Sequence, residues 1–150
     1  VQAVALTILC LPLLSASPAG APGPLRAIHW AGLALVVGAV LIETLADAQL
    51  AAFKRDPANR GKVCARGLWA WSRHPNYFGE WLVWVGFLLM SYNETFRGLP
   101  GLLCVGVMYH FLANVTGIPL TEAQLLKSKG AAYAEYQSRV PAFWPRPPRG

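Results

Sequence analysis

Charge is what this sequence has least of. Only 13 % of its 150 residues are Asp, Glu, Lys or Arg, and seven of those are acidic. A soluble domain carries roughly 25 % charged residues, and hydrophobic residues here reach 55 %. So few charges cannot cover a globule in water, which excludes the ordinary soluble domain and indicates a membrane protein. Cysteine is also scarce: Cys10, Cys64 and Cys104 form an odd set without ligand-like spacing, which points to neither a disulfide framework nor a zinc site. No metal ligand set is predicted. No G-x-G-x-x-G follows a strand, so a Rossmann dinucleotide site is excluded. Helix-turn-helix, zinc-finger and aromatic-basic RNA signatures are missing too, which removes nucleic acid as a partner. There is no internal repeat.

What the chain does have is apolar runs, and a span needs roughly 20 mostly apolar residues. The chain opens on Val1 inside such a run, and Val1–Leu14 is read as the remnant of a clipped first span rather than a signal-peptide apolar region, since no basic stretch precedes it. Ser15–Pro24, rich in Pro, Gly and Ala, is a loop. Leu25 to about Ala46 is a second span whose helix continues to Lys54. A third runs from about Tyr77 to Tyr92, and a fourth from about Leu99 to Ile118, where Gly117 and Pro119 mark its end. Thr121 to about Val140 is charged and periodic, an interfacial amphipathic helix. The expected fold is therefore all-α: a polytopic transmembrane helix bundle of about four spans, the first truncated. Residues 1–150 form one membrane domain, the C-terminal part of something longer.

The basic residues are unevenly placed. Six lie in segment 54–76 and five in the tail from 121, leaving Arg26 and Arg97 for the other connections. Four spans put the segment and the tail on one side, and the positive-inside rule makes that side cytoplasmic. The net charge of +6 is thus at least partly topological, and the lipid bilayer is the first expected partner.

Ionisable groups within spans cost of order 2.5–3.5 kcal/mol each at mid-bilayer on the insertion scale and are functional candidates by default. Glu43 and Asp47 share one helix face, Glu80 opens the third span four residues after Asn76, His110 and Asn114 are four apart, and Glu122 opens the final helix. Any one of them is plausible as a headgroup-solvated interface residue, and His110 alone as an interhelical hydrogen-bonder. Their clustering at one depth predicts a shared polar cavity open to the cytoplasm.

The densest chemistry is Gly67-Leu68-Trp69-Ala70-Trp71-Ser72-Arg73-His74-Pro75-Asn76-Tyr77-Phe78-Gly79-Glu80. Pro75 bars His74 from the helical region, so a helix is expected to start near Asn76 as its N-cap. Helix N-termini attract anions. Arg73, Lys54, Arg55 and Lys62 offer charge for phosphates, and Trp69 and Tyr77 offer faces for a flat ring. An aromatic and basic anchor at headgroup level accounts for the same composition equally well.

The run GLWAWSRHPNYFGEWLVW resembles the signature of the steroid 5-alpha-reductase-like membrane proteins, in particular their bacterial branch of reductase-like proteins, the DUF1295 type. ADAQLAAFKRDPANRGK before it and GIPLTEAQLLKSKGAAYAEYQSRVPAFWPRPP after it are similar to the same family, so the resemblance covers about Glu43 to Pro148. The Arg-His-Pro-Asn-Tyr-x-Gly core is shared with sterol C14 reductases and, more loosely, with isoprenylcysteine carboxyl methyltransferases. The resemblance implies a helix bundle whose C-terminal half holds NADPH in a cytoplasmic pocket, and hydride transfer to an activated C=C of an apolar, steroid- or lipid-like small molecule. It implies cofactor contacts for Asp47, Lys54 (phosphates), Trp69, Asn76, Tyr77, Glu80 and Tyr136. Arg73 and His74 enter as signature residues, and Glu122 falls where relatives carry a polar or charged residue. Ala51 stands where steroid 5-alpha-reductases carry an Arg, so the phosphate grip differs. The relatives' substrate-side acid and Tyr come from helices upstream of the matched stretch, so no catalytic residue is assigned. The looser relatives keep S-adenosylmethionine as the alternative cofactor and a membrane methyltransferase as the alternative activity. A non-enzymatic membrane protein is the third reading.

Overall fold

The computed structural model describes residues 24–92 and 99–147. The expected first span at Val1–Leu14, together with Cys10 and Arg97, lies outside these residues. Every regular element among the described residues is a helix. In chain order these are α1 (Ala27–Arg55), 3-10 turns at Pro57–Asn59 and Gly67–Ala70, α2 (Pro75–Met90), α3 (Leu99–His110), a π-turn at Phe111–Val115, α4 (Ile118–Lys129) and α5 (Ala131–Arg139).

Two helical runs are long and apolar enough to cross a membrane: α1, with 29 residues, and the 31-residue run Leu99–Lys129. On α1, Leu33, Val37, Val40, Leu41 and Leu45 are 41–64 % exposed at helical spacing. An apolar stripe of this length is not left to water in soluble monomers. It supports membrane association. The expected third span is α2, which has only 16 residues.

Three local expectations change. The helix expected to begin at an Asn76 N-cap begins one residue earlier, at Pro75, and Phe78 N–H donates to the His74 carbonyl at 3.1 Å. Proline suits a first helical position because its missing N–H is not needed there. The fourth span was expected to stop at Gly117 and Pro119. In the structure the chain widens at Phe111–Val115 and bends at Thr116–Gly117, and Gly117 and Pro119 open the next helix, α4, rather than closing the run. The thirty-one-residue run therefore continues to Lys129. Finally, the amphipathic helix expected over Thr121–Val140 is two helices. They are broken at Gly130, whose φ of +54° is in the left-handed region that glycine adopts without strain.

The contacts group the chain into two compact units: residues up to Val40 with Glu80–His110, and Leu41–Gly79 with the residues from Phe111 on. In the first unit, α1 and α2 approach through glycine. A Cβ on Gly86 would lie 2.5 Å from Val36 Cγ2 and 2.9 Å from the Gly32 carbonyl oxygen. Small residues permit such backbone approach where lipid supplies no hydrophobic drive between helices. The Trp81 indole donates to the Val105 carbonyl at 3.2 Å, and His29 Nε2 meets the Tyr92 carbonyl at 3.0 Å.

The second unit is built on a small apolar core of Ala46, Phe53, Cys64 and Trp69, with Leu50 and Leu68 against it. The Trp69 indole donates to the Ala46 carbonyl at 2.9 Å, and Leu68 N–H to Gln49 Oε1 at 2.9 Å. Gly67, at φ +60°, lies so close to Gln49 that a Cβ would fall 2.5 Å from its Oε1. These bonds fasten the 57–74 connection to the last turns of α1.

Gly86→Val is expected to lower stability by about 1–3 kcal/mol through overpacking, read as a thermal melt in detergent. Gly38→Val, at a position with nothing within 4 Å of an added Cβ, is expected to leave the melt in place.

Candidate functional site

At the centre of the second unit is one guanidinium. Arg73 Nε and Nη2 donate to the two carboxylate oxygens of Glu122 at 2.7 and 3.2 Å, and Nη1 donates to the carbonyls of Gln137 and Val140 at 3.0 and 2.6 Å. The last two are carbonyls at the C-terminal end of α5, which lack partners within the helix. One side chain thus pairs with the first turns of α4 and caps α5. Glu122 is filled further by Gln137 Nε2 at 2.7 Å and by His74 Nε2 at 3.1 Å. The side chains of Arg73 and Glu122 are only 11 % and 13 % exposed.

Beside this pair the chain closes on its own tail. Arg73 N–H donates to the Pro141 carbonyl and Arg146 N–H to the Trp71 carbonyl, both at 2.9 Å. The Ser72 hydroxyl donates to the Ala142 and Phe143 carbonyls and accepts from His74 N–H. The Tyr136 hydroxyl donates to the Trp69 carbonyl at 2.5 Å. The His74 and Tyr77 rings stack at 5.2 Å with 4° between their planes, and the Tyr77 and Thr121 hydroxyls are 3.1 Å apart.

These elements enclose a cavity of about 510 Å³, within the roughly 300–1,000 Å³ of small-molecule sites. Seven of the ten residues expected at the site line it: Lys54, Trp69, Arg73, His74, Asn76, Tyr77 and Tyr136. Three do not. Asp47 stands behind Asn76, accepting its Nδ2–H at 3.1 Å, and Glu122 stands behind Arg73 and His74. Glu80, one turn beyond Asn76, belongs to the first unit. Of the wider polar cluster, Glu43, His110 and Asn114 are not among the lining residues. A π-turn over Phe111–Val115 removes the regular four-residue spacing that paired the last two.

Several expected roles shift with this geometry. Arg73 is not a loose cation for phosphates, because Glu122 and two carbonyls use its donors. Trp69 is 8 % exposed with its indole engaged, so it acts as a wall rather than a stacking plate. Tyr77 already stacks on His74. The basic lining is supplied by Lys54, Arg60, Lys62 and Lys129 together with Arg73, and no Asp or Glu is among the lining residues. Lys129 Nζ donates to the Lys62 carbonyl, joining the end of α4 to the 57–66 connection. Arg60, Lys129 and Tyr133 were not expected here. Lys129 reads in sequence as topological charge, but Tyr133 lies three residues before Tyr136, on the same helix face, which is the signal that identifies it.

A model of the family described as "Protein of unknown function (DUF1295)" matches residues 1–140. The chain belongs to this family. It is 29 % identical over 165 residues to an uncharacterized protein of Schizosaccharomyces pombe, a match covering 97 % of this chain and 47 % of that protein. The chain therefore spans about half the length of the curated relative it matches. No solved structure matches.

The electrostatics of this DUF1295 site follow from burial. Burial lowers the His74 pKa against the raising pull of Glu122, and the Arg73 charge adds to the lowering. Neutral His74 then donates its Nε2–H to the carboxylate. Burial pushes the Tyr133 hydroxyl up to about 12, with the Glu122 charge adding to the rise. Burial also raises the Cys64 thiol.

Glu122→Ala leaves a buried guanidinium without its counter-charge and is expected to cost about 3–5 kcal/mol, read as a fall in thermal stability in detergent. Since the folded pKa of His74 lies below the unfolded one, the unfolded chain binds the proton first. The stabilising contribution is present above about pH 6.5 and is lost as pH falls through the folded value. Melts across that window are expected to decline with falling pH, and His74→Gln is expected to flatten that decline.

Proposed function

We propose that this chain carries the cofactor-binding half of an integral membrane reductase that uses NADPH. The observation carrying the reading is the charge of the cavity: beyond Arg73, which is paired with Glu122, four basic side chains and no carboxylate are among its lining residues. Such a wall favours a polyanion, as cations pair with phosphate oxygens, and it disfavours a sulfonium such as S-adenosylmethionine. The resemblance of the GLWAWSRHPNYFGEW run to the steroid 5-alpha-reductase-like proteins supports the same class.

Unpartnered polar atoms give the fit a second test. Asp47 holds the Asn76 amide nitrogen, and because a carboxylate only accepts, the amide is oriented with Oδ1 left over. That oxygen is buried without a hydrogen-bond partner. A ligand with an N–H or O–H donor would satisfy it, and a nicotinamide dinucleotide carries both. When bound, NADPH would supply a hydride to an activated C=C of an apolar substrate; the protein's part is to bind, orient and exclude water.

Lys54, Arg60, Lys62 and Lys129 would hold the phosphates. Asn76, oriented by Asp47, would take a donor of the neutral part, and Arg73 with Glu122 would fix the wall on which His74 and Tyr77 stand. The basic 54–76 segment supports a cavity on the cytoplasmic side by the positive-inside rule. The apolar substrate would come from the bilayer, met by residues upstream of the matched stretch.

Isothermal titration of the detergent-purified full chain with NADPH, NADH and S-adenosylmethionine tests the reading. Saturable, NADPH-selective binding is the expected outcome; S-adenosylmethionine binding instead would replace it with a methyltransferase. Lys54→Ala is expected to weaken NADPH about tenfold more than NADH if Lys54 meets the 2′-phosphate, a differential of about 1.4 kcal/mol. Equal losses would move it to the pyrophosphate.

A further inference from the structure

Two buried side-chain atoms among the described residues lack a hydrogen-bond partner, Asn76 Oδ1 and the Tyr133 hydroxyl, and both residues line the same cavity. Native structures leave few buried polar atoms unpaired, and each one calls for an explanation. Tyr133 is 2 % exposed and is held on α5 beside the tyrosine that bonds the Trp69 carbonyl. Glu122 and Arg73 lie close enough to act on it by charge and by weak hydrogen bonding, yet neither meets the hydroxyl at regular hydrogen-bond distance and angle.

The two atoms differ in kind. Asn76 Oδ1 accepts only, because Asp47 fixes the amide the other way round. The Tyr133 hydroxyl, protonated at any working pH with its pKa near 12, is free to donate. A phosphate or carboxylate brings only acceptors and would set lone pairs against Asn76 Oδ1.

We propose that Tyr133 is a ligand-binding residue whose hydroxyl, together with the Asn76 amide oxygen, recognises a neutral amide-like group offering one acceptor and one donor. This rests on the dinucleotide reading above and divides the cavity by chemistry: the lysines and Arg60 take charge, while Tyr133 and Asn76 take the uncharged end. Two parts of NADPH carry such a group, the carboxamide of the nicotinamide and the amino-substituted edge of the adenine.

The test is Tyr133→Phe in the detergent-purified full chain, titrated with NADPH, reduced nicotinamide mononucleotide and adenosine 2′,5′-bisphosphate. The ring is kept and an unpartnered hydroxyl is removed, so the melting temperature without ligand is expected to stay or rise. NADPH affinity is expected to fall about 3–10-fold, the loss of one neutral hydrogen bond. A matching loss for the mononucleotide alone assigns the carboxamide; one for the bisphosphate alone assigns the adenine edge. Unchanged NADPH affinity in a chain that binds NADPH overturns this proposal and leaves the reductase reading standing. So does a lowered melt without ligand, which would make Tyr133 structural. If the unsubstituted chain binds no NADPH, both fall.

Discussion

A guanidinium removed from water must have its donors filled, and Arg73 meets that constraint with Glu122, Gln137 and Val140, drawn from α4 and the end of α5. Glu122 brings the first turns of α4, Gln137 and Val140 bring the end of α5, and the backbone of Arg73 itself holds the tail at Pro141. A buried ion pair is by itself weak evidence for stability, since desolvation offsets much of the attraction. Its contribution here is geometric. A planar fork with several donors fits one arrangement of acceptors, so the relative placement of α4, α5 and the His74–Pro75 start of α2 is fixed by satisfying it. The cavity is the space left beside that arrangement.

Acids and bases have been sorted by position. Cations face the cavity, while the two nearby carboxylates, Asp47 and Glu122, stand one layer behind, each spent on orienting a residue in front of it. The interior potential is therefore positive without being uniform: Arg73 is neutralised from behind, whereas Lys54, Arg60 and Lys62 line the wall from α1 and the connection after it. Such a field attracts anions over distances where individual contacts do not reach. It also explains why Asp47 and Glu122 read in sequence as ligand-touching acids. Their types and spacings are right, and only side-chain direction, which spacing does not encode, tells the first layer from the second.

Much of this was legible beforehand. The apolar run of α1, the Arg73–Tyr77 segment as the site's centre, and Lys54 on its wall all follow from hydropathy, local chemistry and the family signature. What escaped has physical causes. The break at Gly130 is a backbone choice between helix and left-handed turn that apolar periodicity does not register. Pro119 is a helix terminator or a first-turn residue depending on what precedes it, and the π-turn at Phe111–Val115 decided the matter. The partners of Arg73 were not legible because two of its acceptors are backbone carbonyls 64 and 67 residues away, and carbonyls have no identity in sequence. Tyr133 was passed over because an aromatic on an amphipathic helix is ordinarily core.

The tail contacts have a consequence for the order of synthesis. Ser72 and Arg73 leave the ribosome long before the carbonyls that receive them at Gln137–Phe143, up to 71 residues later. Until then the nascent chain has no carbonyls for these donors beside the pocket. Closure is thus deferred until Gln137–Phe143 have been made. A chain interrupted before it would retain its apolar helices and the Arg73–Glu122 pair while leaving the other donors of Ser72 and Arg73 without their carbonyls.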